Sequence, residues 1–185
     1  MKKFLGNFFL RLWGWQIEGE MPKDDKLMIV VLHHTSFWDF FLGLFTRWSK
    51  GFDSAFVAKA SLFKWPLGIL MRYLGGFPIE RSSAKKKYSV VKQIEDIIRR
   101  TDKIKFAFTP EGTRKKVDKL KTGFYTIARD TNIKICLVSF DFSKKIVTFD
   151  IPHNAPDTLE EEFQIMKEFY KDTKGKHPEL SYEFK

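Results

Sequence analysis

The sequence predicts an α/β fold: a single domain with a mostly parallel central sheet flanked by helices. Three observations carry this. At 185 residues and 43% hydrophobic content, the chain suits one globular domain with a full core. Apolar runs at 27–32 and 104–108 end abruptly in polar residues, as buried parallel strands do. Such runs alternate with stretches of helical periodicity, with no repeat, low-complexity segment or linker, so 1–185 reads as one domain.

In chain order, residues 2–15 read as an amphipathic helix. Phe4, Leu5, Phe8, Phe9, Leu12 and Trp13 recur at helical spacing, with Lys3, Asn7 and Arg11 opposite. Gly6 and Gly14 weaken it slightly. A short basic helix with a broad Phe/Trp face fits either a bilayer interface or the protein's own core, and the sequence leaves both open. Residues 15–20 read as a short strand and 22–25 as a turn. The 27–32 strand follows, then a helix capped by Thr35 or Ser36 and running to about Trp48. A strand at 54–58 leads to a helix beginning near Pro66 and ended by Gly75-Gly76.

Residues 77–79 are extended. The stretch 84–100 is a helix with Val90, Val91, Ile94, Ile97 and Ile98 on its apolar face. After the 104–108 strand and its loop, a basic stretch with Lys119 and Lys121 precedes a helix near 124–129. Residues 133–142 and 145–149 read as two strands joined by a tight turn. A helix spans 158–170, its apolar side formed by Leu159, Phe163, Met166 and Phe169 or Tyr170, with Asp157, Glu160, Glu161 and Glu162 making it acidic. From Lys174 the chain reads as a polar tail, 174–185.

Composition narrows the function. The net charge of +10 suits an anionic partner, and the 20 Phe and five Trp exceed what a core of this size needs, pointing to a membrane interface. A nucleic-acid partner is disfavoured, because no nucleic-acid motif accompanies the charge. Cys136 is the one cysteine, so no intramolecular disulfide forms and a reducing compartment is expected; within an apolar run it reads as a buried, inert thiol. No run approaches the roughly 18 apolar residues of a membrane span, and no signal-peptide cleavage site is evident.

The candidate chemistry lies where the two strands end. After 27–32 come His33-His34-Thr35-Ser36-Phe37-Trp38-Asp39; after 104–108 come Thr109-Pro110-Glu111-Gly112-Thr113-Arg114. In open α/β sheets ligands bind at the carboxyl ends of the strands, so the two loops are expected to face one cleft. If a helix starts near Ser36, Asp39 lies in its first turn and its carboxylate reaches one imidazole nitrogen of His34. That is a base with its orienting acid. No Gly-x-Ser-x-Gly elbow is present, so the nucleophile is sought in the substrate. A metal site is disfavoured, because adjacent histidines on an extended chain point opposite ways. Gly112 lets a ligand approach backbone N–H groups, Arg114 and Arg81 offer guanidinium contacts to phosphate, and Glu111 either anchors its loop or bonds a substrate hydroxyl.

Taken together, His34-x4-Asp39, then Gly76-Phe77-Pro78-Ile79-Glu80-Arg81, then Phe108-Thr109-Pro110-Glu111-Gly112-Thr113-Arg114 resemble the glycerolipid acyltransferase superfamily, typified by lysophosphatidate acyltransferases, over roughly residues 27–140. The resemblance implies transfer of an acyl chain from coenzyme A or acyl carrier protein to a lysolipid hydroxyl, with the thioester as co-substrate and no resident cofactor. It implies His34 as base, Asp39 as its partner, and Arg81 with Glu111, Gly112, Thr113 and Arg114 on the acceptor's head group. Lys59 resembles the family's basic position near the phosphate. The chain departs from the pattern at His33, where the family often has Asn, and in 135–140, which lacks the usual proline. Such an enzyme would work as a peripheral protein on the cytoplasmic face, through the N-terminal helix 1–15. A thioesterase, or a non-catalytic anionic-lipid-binding protein of the same fold, is the alternative.

Overall fold

A computed structural model describes residues 1–79 and 90–184. Its helices are α1 (Lys2–Leu12), α2 (Trp38–Lys50), α3 (Leu67–Tyr73), α4 (Val90–Arg100), α5 (Gly123–Thr131) and α6 (Leu159–Tyr170). Its strands are β1 (Gln16–Glu18), β2 (Lys26–Leu32), β3 (Ala55–Lys59), β4 (Gly76–Ile79), β5 (Ile104–Phe108), β6 (Lys134–Asp141) and β7 (Ile146–Phe149). They form one sheet in the order β1-β7-β6-β2-β5-β3-β4. Among the described strands the β6–β7 hairpin is antiparallel and every other neighbouring pair is parallel.

The continuous apolar sequence of β2 follows from its central place, since both its faces are covered. Met28, Val30 and Leu32 point into a core shared with α4, α5 and α6, which includes Ile94, Phe124 and Met166. Leu27, Ile29 and Val31 point the other way, against Leu10 of α1 and Leu42 and Phe45 of α2. Helices α2 and α5, which follow the neighbouring strands β2 and β5, therefore lie on opposite faces. This opens a crevice between the carboxyl ends of the two strands, the usual ligand position in such sheets. β2 also outruns its pairing with β5, which ends at Val30↔Phe108, while Leu32 still pairs with Ser139 of β6.

Several sequence expectations are corrected by packing. Helix α1 is two-sided. Its Gly6 is buried at the crossing with α2, where a Cβ would stand 2.5 Å from the Ser49 amide nitrogen and 2.7 Å from the Phe45 carbonyl. Asn7 faces α2 too and accepts a hydrogen bond from the Ser49 hydroxyl. Meanwhile Phe4, Phe8 and Leu12 stay exposed. In α6, Glu162 faces inward, fully buried, with one carboxylate oxygen 3.1 Å from His153 Nε2. Burial alone would push His153 down, but the bond and charge of Glu162 outweigh it and the imidazole titrates above its ordinary range. Thr158 and Glu161 close a reciprocal capping box at the start of this helix.

The segment from 174 is polar in composition but not free. The Phe142 amide donates to the Lys174 carbonyl at 2.9 Å, the His177 amide donates to Thr35 Oγ1 at 3.1 Å, and Tyr182 and Phe184 pack against the core. Gly75-Gly76 divides its work: Gly75 takes a left-handed φ of 84° after α3, whereas Gly76 already begins β4.

Candidate active site

His34 lies two residues beyond β2, and Asp39 lies in the first turn of α2. His34 Nδ1 is 3.0 Å from Asp39 Oδ2. The same oxygen accepts the Ser36 amide at 2.9 Å, so two hydrogen bonds fix the carboxylate. The partial positive charge at the helix N-terminus further favours an anion there. Thr35 and Ser36 do not cap α2 as expected. Phe37 holds the N-cap position, Ser36 Oγ accepts from the Trp38 amide at 3.2 Å, and the Thr35 hydroxyl is taken by His177. The Asp39 side chain is 2% exposed and the His34 side chain 25% exposed. With Nδ1 engaged by the carboxylate, the imidazole's Nε2 is left to meet a ligand.

The β5 loop closes on this corner. Glu111, 3% exposed, accepts the His34 backbone amide through Oε1 at 3.0 Å. The two strand ends thus face one another, as the sequence implied. Burial pushes the Glu111 carboxyl up to about 7, partly offset by the His34 amide bond. Its Oε2 and Asp39 Oδ1 are buried with no hydrogen-bond partner among the described residues. His33 turns inward, 4% exposed, and burial lowers its imidazole to about 4, so it is neutral near pH 7.

The remaining candidates sort by position. Gly112 has φ 63° and sits against the Lys121 side chain, which occupies the space a Cβ would need. Thr113 Oγ1 accepts the Lys115 amide at 3.3 Å. The Arg114 guanidinium lies 5.9 Å from the centre of the Phe37 ring, which brings a cation over the His34–Asp39 loop. Lys59 is exposed at the carboxyl end of β3, on the same sheet edge. Arg81 lies outside the described residues.

Two supports were missed by sequence reasoning. The buried Tyr170 hydroxyl shares its one proton between the Val30 carbonyl at 2.8 Å and the Val138 carbonyl at 3.2 Å, bridging β2 and β6 beneath the 33–39 loop; its ring meets His33 edge-on. Gly175 packs on Thr35, where a Cβ would lie 2.8 Å from Oγ1. The signal for Tyr170 was its hydroxyl on the apolar side of α6; for Gly175 there was none.

Comparison with known proteins bears on the fold and the family. Among solved structures, the 1-acyl-sn-glycerophosphate (LPA) acyltransferase PlsC from Thermotoga maritima is similar, with a TM-score of 0.62 and 20% identity over 92% of this chain and 75% of that one. That likeness concerns the fold. A search of curated proteins gave no match. The model of the family described as Acyltransferase matches residues 15–141. The match runs through more than two-thirds of the sequence and takes in His34, Asp39, Lys59 and the 111–114 loop, so this chain belongs to the acyltransferase family and is an acyl-transferring enzyme.

Proposed function

We propose that the enzyme moves a fatty acyl group from a coenzyme A or acyl carrier protein thioester to the hydroxyl of a lysophospholipid or similar lysolipid. The observation that carries this is the His34–Asp39 pair, held at 3.0 Å in a crevice beside the Glu111 loop. With Nδ1–H donated to Asp39, Nε2 accepts the acceptor's hydroxyl proton while that oxygen attacks the thioester carbonyl. The tetrahedral adduct collapses, the C–S bond breaks, and the thiolate takes the proton back from the imidazolium. Such general-base help is worth about 10²–10⁴-fold. Glu111 anchors the loop by holding the His34 amide. Arg114, Lys59 and Arg81, with Gly112 and Thr113, supply contacts to the acceptor's phosphate, for which guanidinium forks are well shaped. The reaction needs no resident cofactor.

The likeness to an enzyme named for a 1-acyl-glycerophosphate makes that type of acceptor the first to try. The acceptor is reached at the membrane's cytoplasmic face, through the exposed stripe of Met1, Phe4, Phe8 and Leu12 on α1. No helix among the described residues is long and apolar enough to cross a membrane. The test is thiol release from long-chain acyl-CoA with and without a panel of lysolipids, for the parent and His34→Ala. Release that needs one acceptor and falls at least 100-fold in the variant is expected. Release that ignores every acceptor makes the protein a thioesterase. Silence with both donors leaves a lipid-binding protein.

A further inference from the structure

Helix α3 differs from the other α-helices among the described residues. Only Gly68 of its seven residues is buried, seated against the Phe63 backbone so closely that no Cβ fits. The helix is held down by Gly68 and by Arg72, whose guanidinium donates to the Phe63 carbonyl and lies over the Phe63 ring, while Leu67, Ile69, Leu70 and Tyr73 stand in solvent, 45–67% exposed. Trp65, just before the helix, is 84% exposed. Five large apolar side chains on one short segment are a contiguous patch rather than the scattered exposure of ordinary surfaces. The patch does not stand alone. The Lys2 ammonium lies 5.3 Å from the centre of the Tyr73 ring, which joins it to the outer stripe of α1. Lys2, Lys3 and Lys64 are exposed at its margin.

We infer that α3 is a second membrane-contacting element, which lies with α1 in the surface of a phospholipid bilayer containing anionic lipid. The inference rests on the membrane reading of the proposed function and extends it to a segment that reading does not use. A bilayer fits for three reasons. The side chains are aliphatic, with a Trp and a Tyr whose rings suit the headgroup level. The flanking lysines complement anionic lipid. Seven residues span only about 10 Å, so the helix rests in the interface and cannot penetrate further. Two footholds on separate elements would also fix the enzyme's orientation, which a single helix, free to roll about its own axis, does not.

The single cysteine makes the test direct. Cys136 is fully buried and its thiol is pushed up to about 12, so a probe on a new surface cysteine reports that position alone. Ile69→Cys, Phe4→Cys and, at an exposed position of α5, Thr126→Cys are each labelled with an environment-sensitive fluorophore and titrated with phosphatidylcholine vesicles, with and without phosphatidylglycerol. Probes at 69 and 4 should shift to the blue together, more strongly with phosphatidylglycerol, while the probe at 126 stays unchanged. Ile69→Glu should weaken vesicle binding about tenfold or more, the scale expected for one buried aliphatic side chain. A probe at 69 that stays silent while the probe at 4 responds overturns the inference and leaves α1 as the foothold. Silence at both overturns the membrane reading itself. A shift at 69 that follows protein concentration without vesicles assigns the patch to a second copy of the chain instead.

Discussion

His34 and Asp39 stand five residues apart and meet where the β2 loop enters α2. Thr35, between them, is bonded to a residue 142 positions away. The strand-end loop and the carboxyl-terminal segment hold the same corner of the sheet by different means. The loop carries the groups to which the proposed chemistry is assigned and fixes them by short-range geometry: a strand that stops, a carboxylate in a helix's first turn, an amide turned back onto it. The segment from Tyr170 onward supplies no group to the chemistry proposed here. It ties β2 to β6 through Tyr170, packs Gly175 on the loop, and links to the β5 loop through Lys116 and Glu183, 2.8 Å apart. The contrast teaches that chemistry and rigidity are encoded separately here. One is local in sequence, and the other is collected from the far end of the chain.

The largest expected effect on stability lies in the loop region, and its sign is unusual for a fixed site. Folding raises Glu111 from 4.5 to about 7 by burial, so the native state holds its proton where the unfolded chain has lost it. Stability contributed by this group therefore falls as pH rises from about 4.5 through 7, and the whole cost, about 3 kcal/mol, applies above that. Glu111→Gln keeps an acceptor for the His34 amide and carries no charge. The variant should match the parent at pH 4.5 and exceed it at pH 8 by as much as about 3 kcal/mol, measured by denaturant titration at each pH. A variant no more stable at pH 8 would show that Glu111 is comfortably ionised, and would remove the distinction between a loop under electrostatic load and a segment that relieves it. His33 runs the other way. Its imidazole is lowered to about 4, so its contribution is complete above about 6.5 and is lost as pH falls through 4.

Tyr170→Phe probes the other region. The ring remains to fill the core and to meet His33, but the one buried donor shared by the Val30 and Val138 carbonyls is lost. A cost of about 2 kcal/mol is expected, seen as a fall in Tm of several degrees, with acyl transfer at low temperature changed only a few-fold. Loss of activity far beyond the loss of stability would move Tyr170 from support to site.

What could be read in advance follows the same division. The strands, the hairpin at 134–149 and the His34–Asp39 spacing are legible because alternation of apolar runs and turns is a local property. Gly6 read as a flaw in a helix, yet it is where α1 crosses α2, and nothing in residues 2–12 announces a partner forty residues on. Glu162 read as one of an acidic surface, yet it is buried on His153, because a carboxylate's burial depends on a hydrogen-bond partner that only the fold delivers. The polar composition of 174–184 marked it as a tail. Its docking uses backbone groups of Lys174 and His177 and the bareness of Gly175, none of which has a compositional signature.

Gly175→Ala brings the two regions into direct conflict and has the smallest structural change of the set. One methyl group would stand 2.8 Å from Thr35 Oγ1 and 3.1 Å from Ser181 Oγ, closer than ordinary contacts allow. Either the carboxyl-terminal segment lifts away or the loop shifts by a few tenths of an ångström. A lift confined to 174–177 would free the His177 amide while Tyr182 and Phe184 stay packed on the core, so global stability should fall by only about 1 kcal/mol. A shifted loop carries His34 and Asp39 with it, and proton transfer is sensitive to small misplacement, so kcat should drop by about tenfold while KM for the acyl donor holds. Comparing kcat with Tm for this one variant separates the possibilities. A tenfold kcat loss with Tm nearly unchanged shows that the segment positions the catalytic loop. Equal losses, or none in either, show that the loop's own hydrogen bonds suffice and that the strap merely covers the sheet's edge.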